Sequence, residues 1–245
     1  MPWLAAGSAS LRNMDQPEAD WIGDRLCVPG GALRAGLEQR DFTFLSETEA
    51  ASRQDTLRAA AELINLVPSL AAIVRGRVRK IYLLDAPPGY DISHSEPRWP
   101  ESVFVSVPAG GGAVSALRSA ESIVHESMHL HLTIYERREA LVADPDAELF
   151  SPWKQELRDV QGNLHALYVF VCIRAFLTGL DLALFDSPGQ RYLVRRADEI
   201  TAELAALELE ALNARLTPAG QALVDNILWK REFRPASSGP ATNGL

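Results

Sequence analysis

The sequence predicts an α+β fold that is mainly α, with a small β-sheet and surrounding helices. Three observations lead to this prediction. Apolar residues recur at helical spacing over most of the chain, two short β-branched runs interrupt them, and clusters of glycine and proline separate the segments. A length of 245 residues with 47% hydrophobic residues is sufficient for one domain with a sizeable core.

Residues 1–45 combine weak periodicity with several prolines and glycines, which predicts an irregular N-terminal segment of short helices and loops. A more regular pattern covers residues 46–233, and we expect this part to form a single domain. Residues 234–245 are rich in proline, serine, glycine and alanine, which is typical of a disordered tail.

Helical spacing and capping signals define the helices of this domain in order. Ser46 and Glu49 form a candidate capping box at the start of the first helix, and Pro68 is expected to kink or restart that helix. Further helices are expected at about 113–142, from Ser151 to about 179, at 188–215 and at 219–231.

Two short strands lie between the helices. Lys80–Leu84 ends at a Pro-Pro-Gly turn, and Ser102–Val107 is alternating, β-branched and stopped by Pro108. A run of three glycines at 110–112 then separates the second strand from the long helix.

The composition excludes several classes of protein. With 24 Lys and Arg against 32 Asp and Glu, the net charge is −8, which argues against binding to nucleic acid or to an acidic membrane. Cys27 and Cys172 are too few for a disulfide framework and fit a reducing cytoplasm. No uninterrupted apolar run reaches the roughly 20 residues of a membrane span, and no secretory signal is expected. We therefore predict a cytoplasmic protein with no nucleic-acid or membrane partner.

The strongest motif is His125-Glu126-Ser127-Met128-His129, within the long predicted helix. Residues four apart lie on one face of a helix, so His125 and His129 can bind one metal ion through two imidazoles. Three of the five histidines of the chain fall within the seven residues 125–131, which makes a chance match of surface or hydrogen-bonded histidines the weaker interpretation.

A third ligand is needed to complete such a site. His131 is two residues past His129 and points to the opposite side of the helix, so we expect it not to bind the ion. His94 lies in a segment whose residues are typical of a plain polar loop. His165, on the next predicted helix, is therefore the best third ligand, with a core histidine as its alternative interpretation.

In a metallopeptidase with this motif, Glu126 is the general base for a zinc-bound water. One peptidase class has a histidine six residues after the second ligand, but that position is Tyr135 here. Another class uses a glutamate some twenty residues further on. Glu148 is close to that spacing but follows the break at Asp144-Pro145, and we interpret it as a solvated loop charge.

A second informative stretch is Ser-Pro-Trp at 151–153, followed by Arg158 and by Gly-Asn-Leu-His at 162–165. Together with residues 121–129 and the strand residues 104–108, it resembles a family of bacterial His-Glu-x-x-His proteins that are associated with ribosomally made, modified peptides. Members of this family are described as 2-oxoglutarate-dependent peptide β-hydroxylases.

The resemblance covers roughly residues 80–180. The chain departs from the family pattern at Leu157 and Asp159, which stand where the family usually has proline. These departures affect the expected loop geometry but leave Arg158 in place.

The resemblance implies an iron(II) site formed by His125, His129 and His165. Three neutral ligands leave three of six positions free, which suits chelating 2-oxoglutarate together with dioxygen. The distal carboxylate of 2-oxoglutarate needs a cation, and Arg158 is the candidate for this clamp.

Alternatives remain open for the clamp. Arg158 lies two helical turns before His165 if the helix already runs there, and its alternative role is a salt bridge to Glu156 or Asp159. Two other cations, Lys154 and Arg174, are the reserve candidates.

We therefore expect residues 46–233 to be a metal-binding catalytic domain with a zincin-like metal helix. The expected activity is that of an Fe(II)/2-oxoglutarate-dependent dioxygenase that hydroxylates a β-carbon in a peptide substrate, with or without a leader. Glu126 is a candidate catalytic residue without a firm role, since in a hydroxylase it would orient water or substrate or fix a histidine tautomer. The alternatives are a zinc metallopeptidase with Glu126 as general base and an inactive binding module that keeps the metal helix as a scaffold.

The strand Ser102–Val107 directly precedes the metal helix, as an edge strand does in zincin-like folds. By that analogy it is predicted to bind an extended peptide by β-augmentation. The alternative is an ordinary strand of the sheet.

Overall fold

The computed structural model describes residues 21–228, and the predicted α+β, mainly helical class is confirmed. Predictions for residues 1–20 and 229–245, including the tail at 234–245, lie outside the described residues. In chain order the elements are α1 Gly31–Glu38, α2 Glu47–Ser52, α3 Gln54–Asn65, α4 Pro68–Arg77, β1 Lys80–Leu84, β2 Ser93–His94, β3 Ser102–Ser106, α5 Gly112–Glu136, β4 Glu148–Ser151, β5 Glu156–Asp159, α6 Val160–Thr178, α7 Ser187–Ala206, α8 Leu209–Asn213 and α9 Pro218–Leu228.

A three-stranded sheet of mixed direction has the order β1–β3–β2. β1 runs parallel to β3, with Lys80 opposite Ser102, and β2 pairs with the other edge of β3 in the antiparallel direction. Every residue of β3 is buried, because the strand lies between two others and packs against α5. Both predicted strands are confirmed, but β3 is central, so the interpretation of 102–107 as a peptide-binding edge is wrong.

The helix α5 passes through the core, packing against α3, α4, α6 and β3. The sequence predicted this helix to about residue 142, but it ends at Glu136. Leu141 and Ala143 instead form backbone hydrogen bonds with Thr217 and Arg215, which draws the chain away from the helix axis.

A hairpin formed by β4 and β5 stands where the sequence predicted a helix starting at Ser151. The strands are antiparallel, with Leu149 opposite Arg158. The helix α6 begins only after the hairpin, where the Asp159 side chain accepts a hydrogen bond from the backbone N–H of Gly162 as an N-cap. Pairing between the two strands overrides the local helix signal of Ser-Pro-Trp, so the predicted start is wrong.

The helix α6 has the length and composition of a helix that crosses a membrane, but 56% of that stretch is buried inside the protein. It packs against α5, α7 and α9. An apolar helix with neighbours on several sides is typical of the core of a folded domain.

Residues 21–45 pack against the outer edge of the sheet. Isolated bridges join Leu26 to Ile81 and Phe44 to Leu84. A small second core, next to the main one, is formed by Leu37, Tyr82, Leu84 and Phe104. Within the described chain, packing is therefore continuous across the predicted boundary at residue 45.

Other helix boundaries follow local signals. The capping box of Ser46 and Glu49 is formed, and Pro68 occupies the first turn of α4, so the predicted cap and restart are confirmed. The helix predicted at 188–215 is divided into α7 and α8, because Leu207 is extended and buried between them.

Candidate metal centre

Three histidines from two neighbouring helices lie in contact. His125 and His129 are one turn apart on α5, and their Nε2 atoms are 3.1 Å apart. His165 lies on α6, and its Nδ1 is 3.0 Å from Nδ1 of His129. The structure thus brings together the three side chains that the sequence predicts as ligands.

This donor set fits a divalent transition-metal ion, but the present ring orientations do not converge on one point. Two imidazole nitrogens that bind one ion at about 2.1 Å and at a right angle lie about 3 Å apart, as those of His125 and His129 do. The Nδ1 atom of His129 faces His165, so the ring of His129 lies between the side chains of His125 and His165. As the side chains stand, no three His, Cys, Asp or Glu residues within 21–228 are arranged to hold an ion together. A shared ion requires the His129 ring to turn, and the ligand assignment stays a prediction.

Burial keeps two of these imidazoles neutral at physiological pH. Desolvation, with smaller contributions from the charges of Arg196 and Lys154, lowers the pKa of His125 to about 4. Desolvation and the neighbouring His125 lower the pKa of His129 to about 3. Since the neutral imidazole is the form that binds a metal ion, neither side chain has to lose a proton first.

Glu136 orients His165, and sequence reasoning missed this residue. The Nε2 of His165 is 2.9 Å from Oε2 of Glu136, so Nε2–H donates a hydrogen bond to the carboxylate and Nδ1 is the nitrogen on the side of His129. The signal was present in the sequence, because Glu136 follows His129 by seven residues, or two helical turns, and so shares its face of α5.

Glu126 is bound through both of its carboxylate oxygens. It is only 4% exposed, and the hydroxyls of Ser93 and Ser95 donate hydrogen bonds of 2.6 Å to Oε1 and Oε2 respectively. Oε1 is also 3.9 Å from Nε2 of His125. Glu126 therefore connects α5 to the β2 segment.

The histidines line a cavity of about 680 Å³. The side formed by α5, here called the helix wall, consists of His125, Glu126, His129 and Glu136. The side formed by the β4–β5 hairpin, here called the hairpin wall, consists of Trp153, Lys154 and Arg158. A third side is formed by the β2 segment with Ser93, His94, Ser95 and Glu96.

Arg158 faces the same cavity as the three histidines, but it extends from β5. The predicted position of Arg158, two turns before His165 on the same helix, is wrong, because α6 begins after β5 ends. Within the described residues, Arg158 has no ion pair, and the alternative bridge to Glu156 or Asp159 is not formed.

The reserve cations lie in different places. Lys154 lines the cavity from the turn of the hairpin. Arg174 lies on α6 away from this lining and donates a hydrogen bond of 2.8 Å from Nε to Oγ1 of Thr201 on α7. Of the two, Lys154 alone can reach a ligand in the cavity.

His94 contributes to the cavity wall, although the sequence indicated a plain polar loop. It lies in β2 and stacks on Phe42, with ring centroids 5.0 Å apart. Its Nε2 is buried and has no hydrogen-bond partner within residues 21–228. No local sequence pattern indicates this position, because pairing of β2 with β3 determines it.

The other two candidates considered lie elsewhere. His131 hydrogen-bonds to the hydroxyl of Tyr168 at 2.6 Å on the far side of α5. Glu148 is an exposed residue at the start of β4. Neither belongs to the lining of the cavity among the described residues.

Comparisons with known proteins add no identification, since no family model and no curated protein matches the sequence. Function therefore has to be argued from the site itself.

Proposed function

We propose that this chain is an Fe(II)- and 2-oxoglutarate-dependent oxygenase that hydroxylates the β-carbon of a residue in a peptide. The observation that carries the proposal is the contact of His125, His129 and His165 in a cavity that also contains the unpaired Arg158. Three neutral nitrogen ligands and a nearby guanidinium are the groups that iron(II) and a keto dicarboxylate need. We also propose that α5 with its mixed sheet is a zincin-like arrangement.

Each residue would have a separate role. When bound, iron(II) would supply the centre at which dioxygen oxidises 2-oxoglutarate to succinate and CO2 and hydroxylates the C–H bond, with one oxygen atom going into each product. His125, His129 and His165 would hold the ion, and Glu136 would fix the orientation of His165 through its Nε2. Arg158 would bind the distal carboxylate of 2-oxoglutarate, because a planar guanidinium donates two parallel hydrogen bonds to a carboxylate.

The surroundings of Glu126 support a positioning role for this residue. A peptidase needs Glu126 to accept a proton from a metal-bound water. Each oxygen of Glu126 accepts one hydrogen bond, from Ser93 or from Ser95, and these two contacts hold the carboxylate against the β2 segment. In the proposed oxygenase, Glu126 is a positioning residue that holds the β2 segment against α5.

The test is to mix metal-free protein anaerobically with Fe(II) and 2-oxoglutarate and then admit oxygen. We expect a visible charge-transfer band before oxygen is added and succinate afterwards. His165→Ala should abolish both signals, whereas His131→Gln, on the same helix region but outside the cavity, should retain them.

Three outcomes distinguish the proposed function from its alternatives. A band and succinate support the oxygenase. Peptide cleavage that a chelator stops and zinc restores, without succinate, would replace it with the peptidase. Neither signal, with intact partner binding after His125→Ala, would leave only a binding module.

A further inference from the structure

Among the charged side chains that line the cavity, the carboxylates have hydrogen-bond partners, whereas two cations have none within residues 21–228. Glu96 accepts hydrogen bonds from Arg40 at 2.7 Å and from Arg98 at 3.1 Å. The two other carboxylates of the lining are bound by the serines and by His165, as described above. Lys154 and Arg158 line the same cavity, and within residues 21–228 neither side chain has an ion pair or a hydrogen bond.

Two unpaired cations in such a cavity favour anions as ligands. The chain as a whole carries a net charge of −8, so the positive charge of Lys154 and Arg158 is a local property of this surface. Glu126 keeps its negative charge, because hydrogen bonds from two serine hydroxyls do not cancel it, but both of its oxygens already have donors. Lys154 and Arg158 have no such partners within the described residues, so each can bind one anionic group of a ligand.

The two cations lie towards different histidines and differ in exposure. Arg158 lies close to Gly162, which is one turn before His165 on α6. Its Nη2 and Nε atoms are 3.5 and 3.6 Å from the position that a Cβ atom would occupy at Gly162. Arg158 is half-buried there. Lys154 is exposed at the rim of the cavity, and its charge acts on His125.

The difference in position indicates a difference in ligand. A guanidinium inside the cavity suits the bidentate binding of a small dicarboxylate. An ammonium at the rim is a mobile point charge, and it suits a carboxylate on a molecule that is too large to enter the cavity completely.

We propose that the cavity receives two separate carboxylates, and that Lys154 binds an Asp or Glu side chain of the peptide substrate while Arg158 binds 2-oxoglutarate. This inference rests on the proposed function for the second carboxylate and extends it by naming acidic peptides as the substrate class. It assigns different ligands to two cations of one hairpin.

The experiment compares two pools of fluorescein-labelled peptides of twelve residues. One pool has Asp and Glu at randomised positions, and the matched pool has Asn and Gln at the same positions. Binding to protein loaded anaerobically with Fe(II) and 2-oxoglutarate is measured by fluorescence anisotropy. The affinity for 2-oxoglutarate is measured separately by calorimetry.

We expect the unchanged protein to bind the acidic pool about fivefold more tightly, the size of an exposed charge pair. Lys154→Gln should remove this preference and leave the affinity for 2-oxoglutarate within about twofold. Arg158→Gln should keep the preference and weaken 2-oxoglutarate binding by about tenfold or more, since this contact is less exposed. Lys80→Gln, at the exposed start of β1, is the matched control and should change neither value.

Several results would overturn the inference. These are equal binding of both pools by the unchanged protein, a preference that survives Lys154→Gln, or a loss of 2-oxoglutarate binding caused by Lys154→Gln. Failure of the proposed function gives a different pattern: no binding of 2-oxoglutarate by any variant, with an acidic preference that still depends on Lys154. Because Lys154 is exposed, an unchanged melting temperature checks that the variant is folded.

Discussion

The helix wall and the hairpin wall face each other across one cavity but differ in how far their side chains are fixed. On the helix wall, Glu126 and Glu136 are hydrogen-bonded to other side chains, and the histidines contact one another. On the hairpin wall, Lys154 and Arg158 have no such partners within the described residues. The same cavity therefore combines a rigid side with an open one.

This difference corresponds to two different tasks. A metal-binding histidine is oriented by a hydrogen bond to its second ring nitrogen, as Glu136 orients His165, although the His129 ring still has to turn before the three side chains can share one ion. A carboxylate ligand from solution needs a cation that is not already neutralised by the protein. The wall with hydrogen-bonded side chains therefore contains proposed metal ligands, and the open wall contains the cations proposed to bind exchangeable ligands.

The largest expected effect comes from removing the packing behind the helix wall. Met128 lies inside the His-Glu-x-x-His motif on the buried face of α5 and is 0% exposed. Met128→Ala should lower the free energy of unfolding by about 2–5 kcal/mol, because it leaves a cavity in the core. Urea denaturation at pH 7.5 measures this change.

The comparison change is in the same hairpin, at a residue outside the lining of the cavity, and should have little effect. Leu157 of β5 is 62% exposed, so Leu157→Ala should change the free energy of unfolding by no more than about 0.5 kcal/mol. Equal losses for the two variants would contradict the difference in packing between the core behind the helix wall and the hairpin.

The sequence predicted the helix wall better than the rest of the site for a physical reason. His125 and His129 are related by one helical turn, so their spacing alone places them on one face. Glu136 obeys the same rule and was available from the sequence by extending the face two turns further.

The other parts of the site depend on pairing between distant segments. Ser93 and Ser95 reach Glu126 over more than 30 residues of chain, through a strand too short to give a periodic signal. Ser-Pro-Trp at 151–153 has the local pattern of a helix start, and only its pairing with β5 makes it part of a hairpin. The central position of β3 likewise depends on β1 and β2 together.

Changing Glu126, which connects the helix wall to the β2 segment, should destabilise the protein less than Met128→Ala does. Glu126→Ala leaves the hydroxyls of Ser93 and Ser95 without their acceptor and should lower the free energy of unfolding by about 1–3 kcal/mol. Glu126→Gln keeps the shape of the side chain, so it should recover most of this loss. In the proposed oxygenase, Glu126→Gln should also retain succinate formation within about threefold, as a positioning role permits.

The activity of the Gln variant separates the two roles of Glu126. If this residue were the general base of a hydrolase, Glu126→Gln would reduce turnover by at least about a hundredfold while the fold remained intact. Denaturation and turnover are measured on the same preparations, so a loss of activity through unfolding is recognised.

A last effect, on the pH dependence of stability, concerns the third side of the cavity. There the Nε2 of His94 has no hydrogen-bond partner within residues 21–228 and lies 3.8 Å from Oε2 of Glu96. Burial lowers the pKa of His94 below its ordinary value of 6.5. The unfolded chain therefore binds more protons than the folded chain below about pH 6.5, and the contribution of His94 to stability is lost as the pH falls. The free energy of unfolding should fall by at most about 1.4 kcal/mol per pH unit through this one histidine.

His94→Leu should remove that part of the pH dependence, so urea denaturation between pH 7.5 and 5 should give a shallower slope for the variant. Parallel slopes for the two proteins would mean that His94 is as solvated as a side chain of the hairpin wall, and the third side would then belong with the open part of the cavity.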